Sequence, residues 1–548
     1  MKYSFQNCVT EWSYVSGKKY GDPFNEVQLD VAFKDPDGVE MRIPAFWAGE
    51  QVWSVRYASP KVGTHLYRTI CSDTTNSDLH GQEDTLKVAP YEGDNPLLRR
   101  GPLRVAANRR HLEHQDGTPF LWLGDTWWMG FCKRLKWPEE FKELAADRVS
   151  KGFNLIQIVA GLYPDMEPFD ERGMNEAGFP WEKDFSRISP SYFDMADLRL
   201  AHLVGSGLVP CIVGFWGYFI DVAGAEVLKK HWRYLIARWG AYPVVWCSAG
   251  EALMPYYRSP QFTQMLEARS KDPSGRSWLP PERRRAWSDM MRSIRAVDPY
   301  KRPLTIHPTR IGQDQVDDPS TMDVHWLQTG HGGYKDLTNT VNMLEDALAR
   351  EHRMPTLVSE VNYEGILESS REEIQRFLFW SSVLSGAAGH TYGANGLWQV
   401  NRREKPYGLS PHGTSWGNLP WDDAYRLPGS GQLGLAKRLL ERYPWWQFET
   451  HLDWVEPHQT RDNRISCYAA GISSKVRVVF IPAEAIRYSP TGRMTVKQLE
   501  PNLRYRAFYF DPKTGTEYDL GGVTGDAKGD YMLPRPVIFQ DWVAVLER

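Results

Sequence analysis

Two acidic residues stand where an apolar run stops. Glu251 closes "PVVWCSAGE" and Glu360 closes "PTLVSE". An ionised carboxylate at the end of a core strand costs several kcal/mol unless partners compensate, so two of them on separate runs point to a site. Cleavage of a glycosidic bond needs such a pair. One carboxyl, kept protonated by poor solvation, donates to the leaving oxygen; the other, held ionised by hydrogen bonds, attacks the anomeric carbon or activates water. The same carboxylates could instead bind polar ligand groups or anchor loops. Glu364, four residues after Glu360, competes for the second role, but Glu360 directly ends the rigid apolar run and is the better candidate.

Other polar and aromatic groups end similar runs. Asp125, Trp127 and Trp128 follow "FLWLG", Trp216 and Tyr218 follow "CIVGF", and His307 and Arg310 follow "PLTI". His325, Trp326 and Gln328 lie in "MDVHWLQTG", Tyr363 follows Glu360, and His390 and Tyr392 lie in "GAAGHTYGANG", with Trp398 just beyond. All are candidates for binding substrate. Indole and phenol faces suit the C–H faces of sugars, although Trp127 and Trp128 fit a core equally well. The histidines either orient carboxylates and bind hydroxyls or are satisfied within packing. Asp125 suits a hydroxyl or an arginine.

These residues need elements that bring distant runs to one place. Between residues 106 and 445, eight short apolar runs alternate with helical periodicity, the pattern of parallel strands joined by crossover helices. "WPEEFKELAADRVSKG" shows the helical grammar, with Pro138 at its first turn and Gly152 at its stop. In a (β/α)8 barrel the catalytic groups gather at the carboxyl ends of the strands, where the polar groups above would all lie. Residues 1–105 and 446–548 instead show short alternating strands and turn clusters such as "DPDG" and "GDNP", a β-sandwich pattern on each flank. The fold class is therefore α/β, a barrel flanked by two all-β domains.

Bulk properties narrow the partners. A net charge of −3 gives no broad attraction to nucleic acid or an anionic membrane, while 23 Trp and 26 Tyr favour an amphipathic neutral ligand. The six cysteines are scattered, without metal-knuckle or disulfide spacing, so neither a metal nor any other cofactor is expected. The N-terminus lacks an apolar signal core, which with the cysteine usage suggests the cytoplasm. No run is long enough to span a membrane, and self-association into a homo-oligomer is left open.

Three motifs mislead. "GTSWG" has the nucleophile-elbow spacing that would make Ser415 an esterase centre, but a Pro-rich loop surrounds it instead of a strand and a helix. "GSGQLG" at 429 has the dinucleotide spacing without a preceding strand, and "HLEH" lacks the geometry of a zinc hydrolase.

"DGTPFLWLGDTWW", "KGFNLIQI", "VVWCSAGEA" and "PTLVSEVNYEG" resemble the apiosidase-like barrel family, and the flanking β regions resemble its usual companions. Long loops after the second, fourth and eighth runs favour a walled pocket and exo action. The resemblance implies a retaining hydrolase of plant cell-wall side chains such as apiose or another furanoside, with Glu251 as acid/base and Glu360 as nucleophile. Two departures stand out: Gly250 precedes Glu251 where the wider clan has Asn, and Glu251 stands where the family often has Asp. A carbohydrate-binding barrel without catalysis and a Ser415 esterase are the alternatives.

Overall fold

The computed structural model describes residues 1–272, 277–488 and 493–548. At its centre each of the eight apolar runs supplies one parallel strand: β1 (Trp122–Thr126), β2 (Leu155–Val159), β3 (Val209–Val213), β4 (Val245–Cys247), β5 (Leu304–Thr305), β6 (His325–Gln328), β7 (Thr356–Glu360) and β8 (Gly389–Tyr392). Hydrogen bonding runs in the order β5-β4-β3-β2-β1-β8-β7-β6. Every residue of β1, β2, β3 and β7 is buried, as expected of strands covered by side chains within and helices without.

The outer ring contains α1 (Glu139–Ser150), α2 (Pro190–Gly205), α3 (Ala225–Trp239), α4 (Pro260–Lys271), α5 (Pro281–Val297), α6 (Asp336–Leu348), α7 (Glu372–Leu384) and α8 (Pro428–Leu440). Both α4 and α5 follow β4. Two 3-10 turns, Gly312–Gln315 and Pro319–Thr321, replace a helix between β5 and β6. These two strands share no ladder. Their seam is closed by the Asp323 amide donating to the Leu304 carbonyl (2.8 Å) and the Thr305 hydroxyl donating to the Val324 carbonyl (2.7 Å).

The N-terminal region has a five-stranded and a three-stranded sheet, sharing a core that includes Val31, Phe33, Trp53, Val55 and Tyr57. Phe33 and Tyr57 stack at 3.9 Å. Arg56 joins it to the barrel, donating to Asp197 on α2 (3.1 Å) and to the Arg238 carbonyl on α3 (2.7 Å). A small sheet of residues 103–105, 112–114 and 119–120 then leads into β1.

The C-terminal region carries a six-stranded and a three-stranded sheet. Strand alternation divides its labour: Val478 and Phe480 join the barrel core, while Val479 and Ile481 face the domain's own core. Trp380 of α7 stacks on Phe480 at 6.2 Å. Beside them Arg376, also on α7, grips Asp541 through two bonds of 2.7 Å and Gln432 through one of 2.6 Å. Among the described residues no helix is long and apolar enough to cross a membrane.

The Arg376 clamp yields a stability prediction. Arg376→Met strands the buried Asp541 carboxylate and should cost about 3–5 kcal/mol, read from the urea midpoint, whereas also replacing Asp541 by Leu should recover most of the loss.

Candidate active site

The carboxyl ends of the strands surround a cup of about 400 Å³. Of the residues expected to meet there, Glu251, Glu360, Trp128, Trp216, Gln328, Tyr363 and Trp398 line it.

Glu251 lies four residues past the end of β4, where the backbone turns into the left-handed region (φ +40°) that a residue with a Cβ seldom occupies. Its neighbours hold the turn. Gly250 bridges to Trp216, and the Ala252 amide donates to the His307 carbonyl at 3.1 Å. A Cβ on Gly250 would lie 2.1 Å from the Trp216 ring, so this indole excludes the Asn that the wider clan carries there. Trp216 in return donates its Nε1–H to Glu251 Oε2 (3.3 Å).

Glu360 is the last residue of β7 and is buried. His331 donates to its Oε1 at 2.8 Å and Gln328 Nε2 to the same atom at 3.2 Å. His307 Nε2 stands 2.9 Å from Oε2, close enough for strong attraction though not aligned for a hydrogen bond. Burial pushes the Glu360 carboxyl up; His307 and His331 together push harder the other way, to about 2. Burial likewise opposes the charged form of His331, but its bond to Glu360 prevails and raises its pKa. Glu360 is thus a fixed anion on a partly cationic support.

Gln328 ties the two carboxylates together. Its Nε2 also donates to Glu251 Oε1 at 3.0 Å, so the two Oε1 atoms stand no more than about 6 Å apart. Only the amide nitrogen can serve two carboxylates, which leaves Gln328 Oε1 buried without a partner. Trp128 completes the floor, donating to the Tyr363 hydroxyl (2.9 Å) and meeting Trp216 edge-on at 5.4 Å.

Other expected residues stand behind the lining. Asp125 is wholly buried, accepts from Arg148 Nε (2.5 Å) and Trp127 Nε1 (2.7 Å), and so fastens α1 to β1. Trp127 packs on Phe141. The Tyr218 hydroxyl is shared between the Tyr163 and Met166 carbonyls, and Arg310 donates to Asn339 at 3.1 Å. His307 supports Glu360 from the rear, with Trp326 wedged beside it at 5.7 Å. Burial drives the pKa of both His325 and His390 down to about 3. Tyr392 donates to Glu364 Oε2 at 2.5 Å, and the Gly429 amide donates to the same oxygen at 3.0 Å. Glu364, raised by burial to about 7, therefore faces the start of α8 and a separate cleft. Ser415 lies on an exposed loop outside any strand or helix, with its hydroxyl accepting from the Gly417 amide.

His331 and Asp165 were not anticipated. His331 sits one residue past the end of the quoted run "MDVHWLQTG", and its Gly330 and Gly332 neighbours were the available signal. Asp165, in the long loop after β2, accepts from Trp416 Nε1 (2.7 Å) and draws the loop after β8 across the cup.

Residues 106–447 match the family described as "Apiosidase-like, catalytic domain". The chain belongs to the apiosidase-like family. Residues 5–72 match a domain of unknown function (DUF5060). No functionally curated protein matches the sequence. Among solved structures, a glycoside hydrolase family 5 protein from Bacteroides vulgatus aligns with a TM-score of 0.65 at 20% identity, over 83% of this chain and 94% of that one. Another, a glycoside hydrolase, gives 0.62 at 20% identity over 83% of this chain and 98% of that one. A second Bacteroides vulgatus structure aligns over 100% of both chains, with a TM-score of 0.69 and 16% identity. These likenesses show the shared fold. Apiosidase-like membership and the shared barrel together support glycosidase chemistry.

The Glu360 environment sets a pH dependence. Because its pKa is depressed on folding, it contributes stability that is complete above the ordinary carboxylate value of about 4.3 and is lost as pH falls toward about 2. His331, raised on folding, contributes stability that is complete below about 6.5 and fades as pH rises through its folded value. His331→Gln should weaken both effects. Its urea midpoint should fall further below wild type at pH 5 than at pH 3, and an equal deficit at both would count against the pairing.

Proposed function

We propose that the protein is a retaining, exo-acting glycosidase in which Glu251 is the acid/base and Glu360 the nucleophile. The spacing of the two carboxylates carries this reading. An Oε1 separation of no more than about 6 Å suits the roughly 5–5.5 Å between carboxyl groups of double displacement better than the roughly 6.5–9.5 Å that leaves room for a water. Electrostatics support the division of roles. Glu360 is held ionised by histidines and can attack the anomeric carbon at neutral pH. Glu251, half-buried against Trp216 and, among the described residues, without a cationic hydrogen-bond donor, suits the group that gives and regains a proton.

In the first step Glu251 transfers its proton to the departing glycosidic oxygen as Glu360 bonds to the anomeric carbon. In the second, Glu251 takes a proton from water as that water displaces Glu360. Gln328 takes over the contact to the hydroxyl beside the anomeric carbon that the missing Asn makes elsewhere in the clan. Its buried, unpartnered Oε1 and its place between the carboxylates support that role. Exo action fits a walled cup about one to two sugar rings in volume, closed on one side by the loop that Asp165 pins. Family membership points to a furanoside such as apiose on a plant cell-wall side chain as the glycone.

The test is turnover of a panel of aryl glycosides and cell-wall oligosaccharides, with the product anomer followed by NMR. Glu251→Gln should lower kcat by about 10²–10⁴-fold on substrates with poor leaving groups and far less on activated aryl glycosides. Glu360→Ala should be inactive and regain turnover with azide, giving the inverted glycosyl azide. Inverted product from wild type would exclude double displacement. Unchanged turnover in Glu360→Ala would remove the nucleophile assignment, and substrate binding without any cleavage would leave a sugar-binding barrel.

A further inference from the structure

Glu251 and Glu360 divide the cup, and its two halves differ in chemistry. Around Glu360 stand hydrogen-bonding groups: His331, Gln328 and Tyr363. Past Glu251 the wall is formed by Met254 and one face of α4, where Phe262, Met265, Leu266 and Arg269 recur at the i, i+3, i+4, i+7 spacing that aligns side chains along a helix. Three of these four are apolar. Arg269, half-buried at the end of the stripe, lies near enough to Glu251 to feel its charge, yet among the described residues it has no hydrogen bond or ion pair.

The polar groups facing this wall are already engaged. The Tyr257 hydroxyl accepts from the Asp165 amide at 2.7 Å, and His412 and Thr414 bond one another at 2.9 Å. The His412 ring lies nearly parallel to Phe262 at 6.0 Å, extending the flat apolar surface. A sugar bound here would bury hydroxyls against a phenyl ring, two thioethers and a leucine, with few donors or acceptors to replace water. A flat apolar group would lose nothing of that kind, and a carboxylate on its far edge would meet the Arg269 guanidinium.

We propose that the leaving-group side of the cup takes an apolar, anionic aglycone, an aryl carboxylate, in preference to a second sugar. This deepens the glycosidase reading and rests on it, because Glu251 as acid defines the side from which the leaving group departs. The aryl body packs on Phe262, Met254 and Met265, and its carboxylate pairs with Arg269.

The test is direct binding of a leaving-group analogue, 4-hydroxybenzoate, to the full chain by calorimetry and tryptophan fluorescence, with phenol, glucose and galacturonate as comparisons. Wild type should bind 4-hydroxybenzoate saturably and phenol at least about tenfold more weakly, and neither sugar should displace the aryl acid. Arg269→Gln, with an unchanged melting temperature, should lose about tenfold for 4-hydroxybenzoate and nothing for phenol, a difference of about 1.4 kcal/mol. Met265→Gln should weaken both aromatic ligands. Equal affinity of wild type and Arg269→Gln for the aryl acid would overturn the proposal, as would Arg269-dependent binding of galacturonate that exceeds that of the aryl acid. Turnover is read separately: binding through Arg269 in a chain that cleaves no glycoside would sink the catalytic assignment and not the ligand chemistry of this wall.

Discussion

A buried negative charge governs the centre of this protein. Glu360 has almost no access to water, and what keeps it ionised is a small set of groups arriving from two other strands: His307 after β5, in close electrostatic contact, and Gln328 and His331 at and just past the end of β6, which donate to the carboxylate on β7. Removing solvent from such a group is costly, so the donors must be held in place by elements that cannot easily part. A closed ring of strands meets that need. The charge explains the shape around it as much as the shape explains the charge.

The second acidic group is positioned by contrasting means. Among the described residues Glu251 has no ion pair; a sharp backbone turn, a tryptophan edge and one amide hold it. One carboxylate is thus held by histidines, while its neighbour rests against an indole and an amide. Gln328 spans the two and keeps their separation short, so a single uncharged side chain links both carboxylates.

Much of this was legible in the sequence. Each of the eight apolar runs became a barrel strand, and both carboxylates reached the cup, because buried parallel strands are near-continuous apolar runs that end abruptly where solvent begins. Which strand-end residues face inward was harder to read. Asp125 and Tyr392 stand at strand ends much as Glu360 does, Asp125 one residue short, yet they point toward helices, since side-chain direction alternates along a strand and its phase depends on barrel stagger. His331 lies in a glycine-flanked loop, and Asp165 acts through loops far apart in the chain; no local periodicity marks either. The face of α4, by contrast, was written in ordinary helical spacing and could have been read as a stripe aimed at the site.

The close fit between Gly250 and the Trp216 ring binds the history of two positions together. An asparagine could enter at 250 only after the indole at 216 had given way to something smaller, and that exchange would take with it the bond from Trp216 to Glu251. Neither residue can drift alone. In relatives of this chain the two positions should change together, a small residue at 250 accompanying a bulky aromatic at 216.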